Sequence, residues 1–164
     1  MVEHFDALER KLSMSQILVS LSVWLHALAT VVFIGHYFLL AVIYLPVLSK
    51  NGAALSEISK RSRSWLYASM VVFLVTGTYL MVIDTGYLGF MNFGNFWGIV
   101  MLVKHLILLG MMALGFWYNA ILRVGQLMSS NNPEQAILRF RKYVNLMAVC
   151  GVLVLLLTAL AQVE

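Results

Sequence analysis

Charge is scarce in this sequence. Asp, Glu, Lys and Arg make up 11% of its 164 residues, whereas a soluble domain normally carries about a quarter. With 62% hydrophobic residues and a mean hydropathy of +0.88, there is more apolar surface than a water-soluble core can hide. Cysteine is nearly absent as well. The single Cys150 lies deep in an apolar run, which excludes a disulfide framework and marks a small packing residue. No stretch of low complexity and no internal repeat divides the chain, so residues 1–164 read as one domain. The formal charge of +4 does not imply a nucleic-acid partner, because the basic residues fall beside apolar segments and form no patch of their own.

Long apolar runs are what the sequence has in their place. They define four transmembrane helices at about 17–48, 65–83, 96–122 and 143–163. The expected fold is therefore an all-α integral membrane four-helix bundle. At 1.5 Å per residue the first run reaches roughly 45 Å, more than the ~30 Å hydrocarbon core, so it must tilt or protrude. Pro46 marks its end or a kink. Thr76-Gly77-Thr78 supplies small residues for close helix contact in the second run. Residues 1–15 are acidic and mixed, unlike a cleavable signal, and carry Phe5, Leu8 and Leu12 at the spacing of a short interfacial helix.

Orientation follows from the loops. Lys50, Lys60, Arg61 and Arg63 lie between the first two spans, and Arg123, Arg139, Arg141 and Lys142 between the last two. Residues 86–95 contain no basic residue. The basic side is cytoplasmic by the positive-inside rule, which places both termini on the extracytoplasmic side. Aromatic residues near span ends (Trp65, Tyr67, Tyr87, Phe96, Trp97, Trp117, Tyr118, Tyr143) fit interfacial belts. The expected setting is the lipid bilayer of a bacterial inner membrane, crossed several times.

An ionisable residue inside a membrane span is costly, and each one is a functional candidate. The spans hold His26, His36, Lys104 and His105. His26 and His105 each lie about nine residues from the outer start of their spans, hence at one depth, roughly 13 Å below the helix ends. Two imidazoles at one level on two helices suit the axial ligands of a haem iron, with Lys104 near a propionate. Interhelical hydrogen bonding is the plainer alternative. His36 lies ~15 Å deeper and cannot share that iron. It is open to a second site, a proton path or a hydrogen bond across the bundle. Met101, His105 and Met112 share one face, which would suit a soft ion such as Cu(I) or plain packing. There is no intramembrane carboxylate pair, glycine-rich phosphate loop, Cys-x-x-Cys-His or His-x-x-x-His motif.

The stretch WLHALATVVFIGHYFLLAVIYLPVL, with His26, Gly35 and Pro46, resembles the first helix of the copper resistance protein D domain family. FWGIVMLVKHLILLGMMALGFWYNAIL, with Gly98, Lys104 and Asn119, resembles the glycine, lysine and asparagine pattern of a later helix in that family. The pattern is also similar to the membrane-bound, haem-binding protoporphyrinogen oxidase of bacteria. The resemblance implies a membrane bundle concerned with copper transport or tolerance, or a haem-dependent oxidase. His36 stands where the family usually has a small residue, and His105 adds a histidine beside the family's lysine. That addition favours haem b held by His26 and His105, in an electron-transfer protein or a subunit packed against other membrane redox subunits. Copper transport, the oxidase and a non-catalytic accessory subunit are the alternatives.

Overall fold

In the computed structural model, residues 2–48, 51–84, 96–118 and 133–162 are described. Asn119, Arg123, Lys50, Tyr87 and the rest of the 86–95 loop lie outside them. Among the described residues the chain is all-helical, and four helical stretches are long and apolar enough to cross a membrane: Met14–Leu48, Ala53–Ile83, Phe96–Phe116 and Glu134–Leu160. Their mean hydropathies run from 2.0 to 2.3.

The first span is built from α1 (Val2–Leu39), a π-helical turn (Leu40–Tyr44) and a short α2 (Leu45–Leu48). The N-terminal segment is thus not a separate helix; it runs unbroken into the span. Pro46 explains the π-turn. Its ring would meet the carbonyl of Val42 in a regular helix, and it has no N–H to donate. Widening the preceding turn relieves the clash, and the Leu45 N–H reaches back to the Leu40 carbonyl. The helix therefore continues through Pro46 to Leu48.

The second span, α3 (Gly52–Ile83), starts well before residue 65. The Asn51 side chain caps it, with Oδ1 accepting the Ala54 N–H at 3.1 Å. The Asn51 N–H donates to the Leu48 carbonyl at 2.8 Å, which ties the turn to the end of the first span. Lys60, Arg61 and Arg63 consequently stand on helix and not in a loop. Their long aliphatic stems can lie along apolar surface while the charges reach water. The third span is α4 (Phe96–Phe116). The fourth, α5 (Pro133–Leu160), also begins early, with a proline at its first turn where the missing N–H costs nothing, and it carries Arg139, Arg141 and Lys142.

Between helices there is no hydrophobic drive in lipid, so close packing of small residues matters. On α1 the inward face is Ala29, Phe33, Ile34 and Tyr37, at helical spacing, and Leu40 of the π-turn continues it. It meets α3 on one side and α5 on the other, and α4 lies mainly against α5. α3 and α4 touch only sparsely. Gly151 lets α5 close on α1: a Cβ there would stand 2.7 Å from Ile34 Cγ2. Outward faces are rich in exposed Leu, Val, Ile and Phe and contact lipid. Cys150 packs half-buried against the core.

The aromatic residues near the span ends do not all form a belt. Trp65, Phe96 and Trp117 are exposed, but Tyr143 is buried and its hydroxyl lies 2.9 Å from that of Tyr37. Tyr118 stacks on Tyr143 with ring centroids 3.8 Å apart. Proximity to an interface sets depth; packing decides which face a ring takes.

Candidate functional site

His26, Lys104 and His105 are half-buried, and the structure brings all three within electrostatic reach of one another. His26 comes from α1, the other two from α4. They gather toward the end of the bundle away from the basic residues, where α3 and α4 are sparsely joined. Asp84, the C-cap of α3, is the electrostatic partner of Lys104 across that seam. Among the described residues no group of three or more His, Cys, Asp or Glu converges, so any metal here would rest on the histidine pair and softer donors.

The hydrogen bonds indicate which nitrogen of each ring carries the proton. Thr76 of α3 lies 2.9 Å from His26 Nδ1. A threonine hydroxyl has one hydrogen, and Thr76 gives it to the Val72 carbonyl at 2.6 Å. Toward His26 the Thr76 oxygen is therefore the acceptor, and the proton sits on Nδ1. In a neutral imidazole that leaves Nε2 with its lone pair. His105 is held the same way: Nδ1 donates to the Met101 carbonyl at 2.6 Å, which in the neutral ring puts the lone pair on Nε2. An imidazole whose other N–H is already engaged is the usual form of a metal-ligating histidine.

Local packing fixes the His26 ring further. Phe73 tilts against it with centroids 4.3 Å apart. Gly77 follows Thr76, and a Cβ there would stand 3.1 Å from His26 Cε1, so the glycine makes room for the imidazole. Thr78, the third member of that triplet, is exposed. On α1 itself the Thr30 hydroxyl donates to the His26 carbonyl at 2.8 Å.

His36 stands apart. Its Nε2 lies 3.5 Å from Ser62 Oγ of α3 and its ring packs edge-on to Tyr37. This is a hydrogen bond across the bundle, near the basic residues. The methionine stripe divides too. Met112 belongs to the hydrophobic core, while Met101 is half-buried and lends its carbonyl to His105. Sequence reasoning missed Thr76 as the partner of His26. The available signal was a threonine beside a glycine in a run expected to make close helix contact.

The family model described as copper resistance protein D matches residues 56–161, well over half of the chain. Lys104 and His105 fall inside that stretch; His26 and His36 precede it. No curated protein and no solved structure matches the chain.

Proposed function

The chain belongs to the copper resistance protein D family, and on that premise we propose that it moves copper across the membrane or confers tolerance to it, with His26 and His105 as ligands. The observation that carries this reading is the matched pair of half-buried imidazoles, each with Nδ1 engaged as a donor and with no partner for Nε2 among the described residues. Imidazole is a good copper ligand, and the thioether of Met101, one helical turn from His105, is a soft donor suited to Cu(I). Copper is cargo in this reading. With both termini extracytoplasmic, the pair lies in the outer half of the bilayer and meets the ion first.

Lys104 has no lone pair while it carries its charge and is not a ligand. It adds positive charge beside the site, and Asp84 offsets that charge. The b-type haem that the two histidines call for on their own gains no support from the family match, and neither does the likeness to protoporphyrinogen oxidase.

One experiment separates the two readings. Protein purified in detergent is scanned oxidised and dithionite-reduced, then loaded anaerobically with Cu(I) and titrated against a chromophoric chelator. The expected result is no haem band, and a copper that is lost on His26→Ala or His105→Ala. A reduced α-band near ~560 nm that vanishes in those variants, with no copper bound, would replace copper by haem.

A further inference from the structure

Deeper in the bundle than the histidine pair, the core changes chemistry. Met70 of α3 and Met147 of α5 both turn the ends of their side chains toward Gly115 of α4. A Cβ at residue 115 would stand 2.9 Å from the Met70 methyl, 3.9 Å from the Met147 methyl and 3.0 Å from the Tyr37 hydroxyl. The missing Cβ is therefore what lets the two methionines and the tyrosine meet there. Gly115 lies ten residues beyond His105 on the same helix, about 15 Å along its axis. Met111 stands one turn nearer His105 on the face of Gly115. Met70, Met111 and Met147 are all buried, at 8%, 2% and 0% exposure, and belong to one cluster.

Methionine fills irregular gaps in any core, and a single one would mean no more than that. Here three helices each contribute a buried thioether to one region of the bundle, on the cytoplasmic side of the histidine pair. Thioether sulfur is a soft donor that takes Cu(I) and serves hard cations poorly. A monovalent ion also brings less charge into the membrane interior, where charge is costly, than a divalent one would.

We propose that Met70 and Met147, with Met111 above them, form a second site for monovalent copper, a thioether stop between the histidine pair and the basic end of the bundle. The proposal rests on the copper reading above and adds to it a place where the ion goes next. The tyrosine hydroxyls of Tyr37 and Tyr143, 2.9 Å apart, lie beside this site.

Purified protein loaded with Cu(I) under anaerobic ascorbate tests it by chelator competition and X-ray absorption. Met70→Leu with Met147→Leu conserves volume and keeps the core filled; Met112→Leu, another buried methionine of the cluster, is the control. The wild-type chain should hold two coppers, with both nitrogen and sulfur scatterers. The double variant should lose one copper and most of the sulfur signal, the control neither, and His26→Ala should lose nitrogen while keeping sulfur. If the double variant keeps both coppers and the sulfur signal while His26→Ala loses its ion, the thioether site is overturned and the histidine site stands. If copper binds through sulfur alone and the histidine variants change nothing, the thioether site stands and the proposed ligands fall. A wild-type chain that takes up no copper overturns both.

Discussion

His26 and Thr76 meet at 2.9 Å between Nδ1 and Oγ1, and the next residue, Gly77, leaves the space in which that imidazole sits. With its own hydrogen directed to the Val72 carbonyl, the threonine favours the tautomer that carries the proton on Nδ1 of a residue fifty positions away. Thr76→Val keeps the shape and removes the acceptor, freeing the ring to place its proton on either nitrogen. Partners of this kind usually matter by 10–100-fold in metal affinity. Thr76→Val should weaken copper binding by about that range, and Thr76→Ser should restore most of it. Equal affinity in wild type and Thr76→Val, measured by chelator competition, would remove the threonine from the site.

Helix approach gives a second test, independent of copper. Gly151→Ala would place a methyl 2.7 Å from Ile34 Cγ2, a contact that forces α1 and α5 apart or Ile34 off its rotamer. Overpacking of this sort costs about 1–3 kcal/mol. Gly110→Ala meets nothing within 4 Å and gains about 1 kcal/mol of helix propensity, as judged from water-soluble hosts. In detergent the melting temperature should fall for Gly151→Ala and hold or rise for Gly110→Ala. Equal melting of the two would mean that α5 does not close on α1 at that residue.

The number of spans and the helical class were legible because charge-free runs in lipid allow little else than a helix. Where the helices begin was less so. Lys60, Arg61 and Arg63 read as loop, yet they lie on α3, because a helix capped by Asn51 need not stop where the hydrocarbon does. The candidate residues His26, Lys104 and His105 were visible as ionisable groups within spans, and the fold sets them within electrostatic reach of one another. Their partners were hidden. Thr76 looks like any small residue of a membrane helix, and Tyr143 like an interfacial aromatic, since a sequence reports depth more readily than face. Met70 and Met147 converge only because Gly115 of a third helix leaves them room, a relation among three segments that no periodicity records.

Topology is the premise of every statement about depth relative to cytoplasm. It rests on eight basic residues gathered on one side: Lys50, Lys60, Arg61, Arg63, Arg123, Arg139, Arg141 and Lys142. Reporter fusions after Lys60 and Arg139 should read cytoplasmic, and fusions after Gly89 and Glu164 should read outside. The opposite pattern would put the histidine pair in the inner half of the bilayer, as an exit and not an entrance.

The final prediction ranks the ionisable residues of the spans against one another. His26→Ala and His105→Ala each remove a nitrogen donor, and losing one of two ligands should leave little binding at that site. His36→Ala removes a hydrogen bond to Ser62 that is already 3.5 Å long, about 15 Å from His26 along the helix. Its effect on copper should be within error, and its effect on stability about 0.6 kcal/mol, typical of interhelical bonds in membranes. Lys104→Gln behaves differently again. It takes away a positive charge beside a cation, so binding should tighten by a few fold, most clearly at low salt if the site is reached by water. The sign is the informative part. General loss of folding would weaken binding in all four variants, and a haem with Lys104 near its propionate would loosen when that charge is removed. Copper titrations of the four proteins, each first shown to be monodisperse and helical, read the order directly. If Lys104→Gln binds copper more weakly than wild type while His36→Ala matches it, Lys104 supports the site in some way other than by its charge, and the electrostatic account of that residue is wrong.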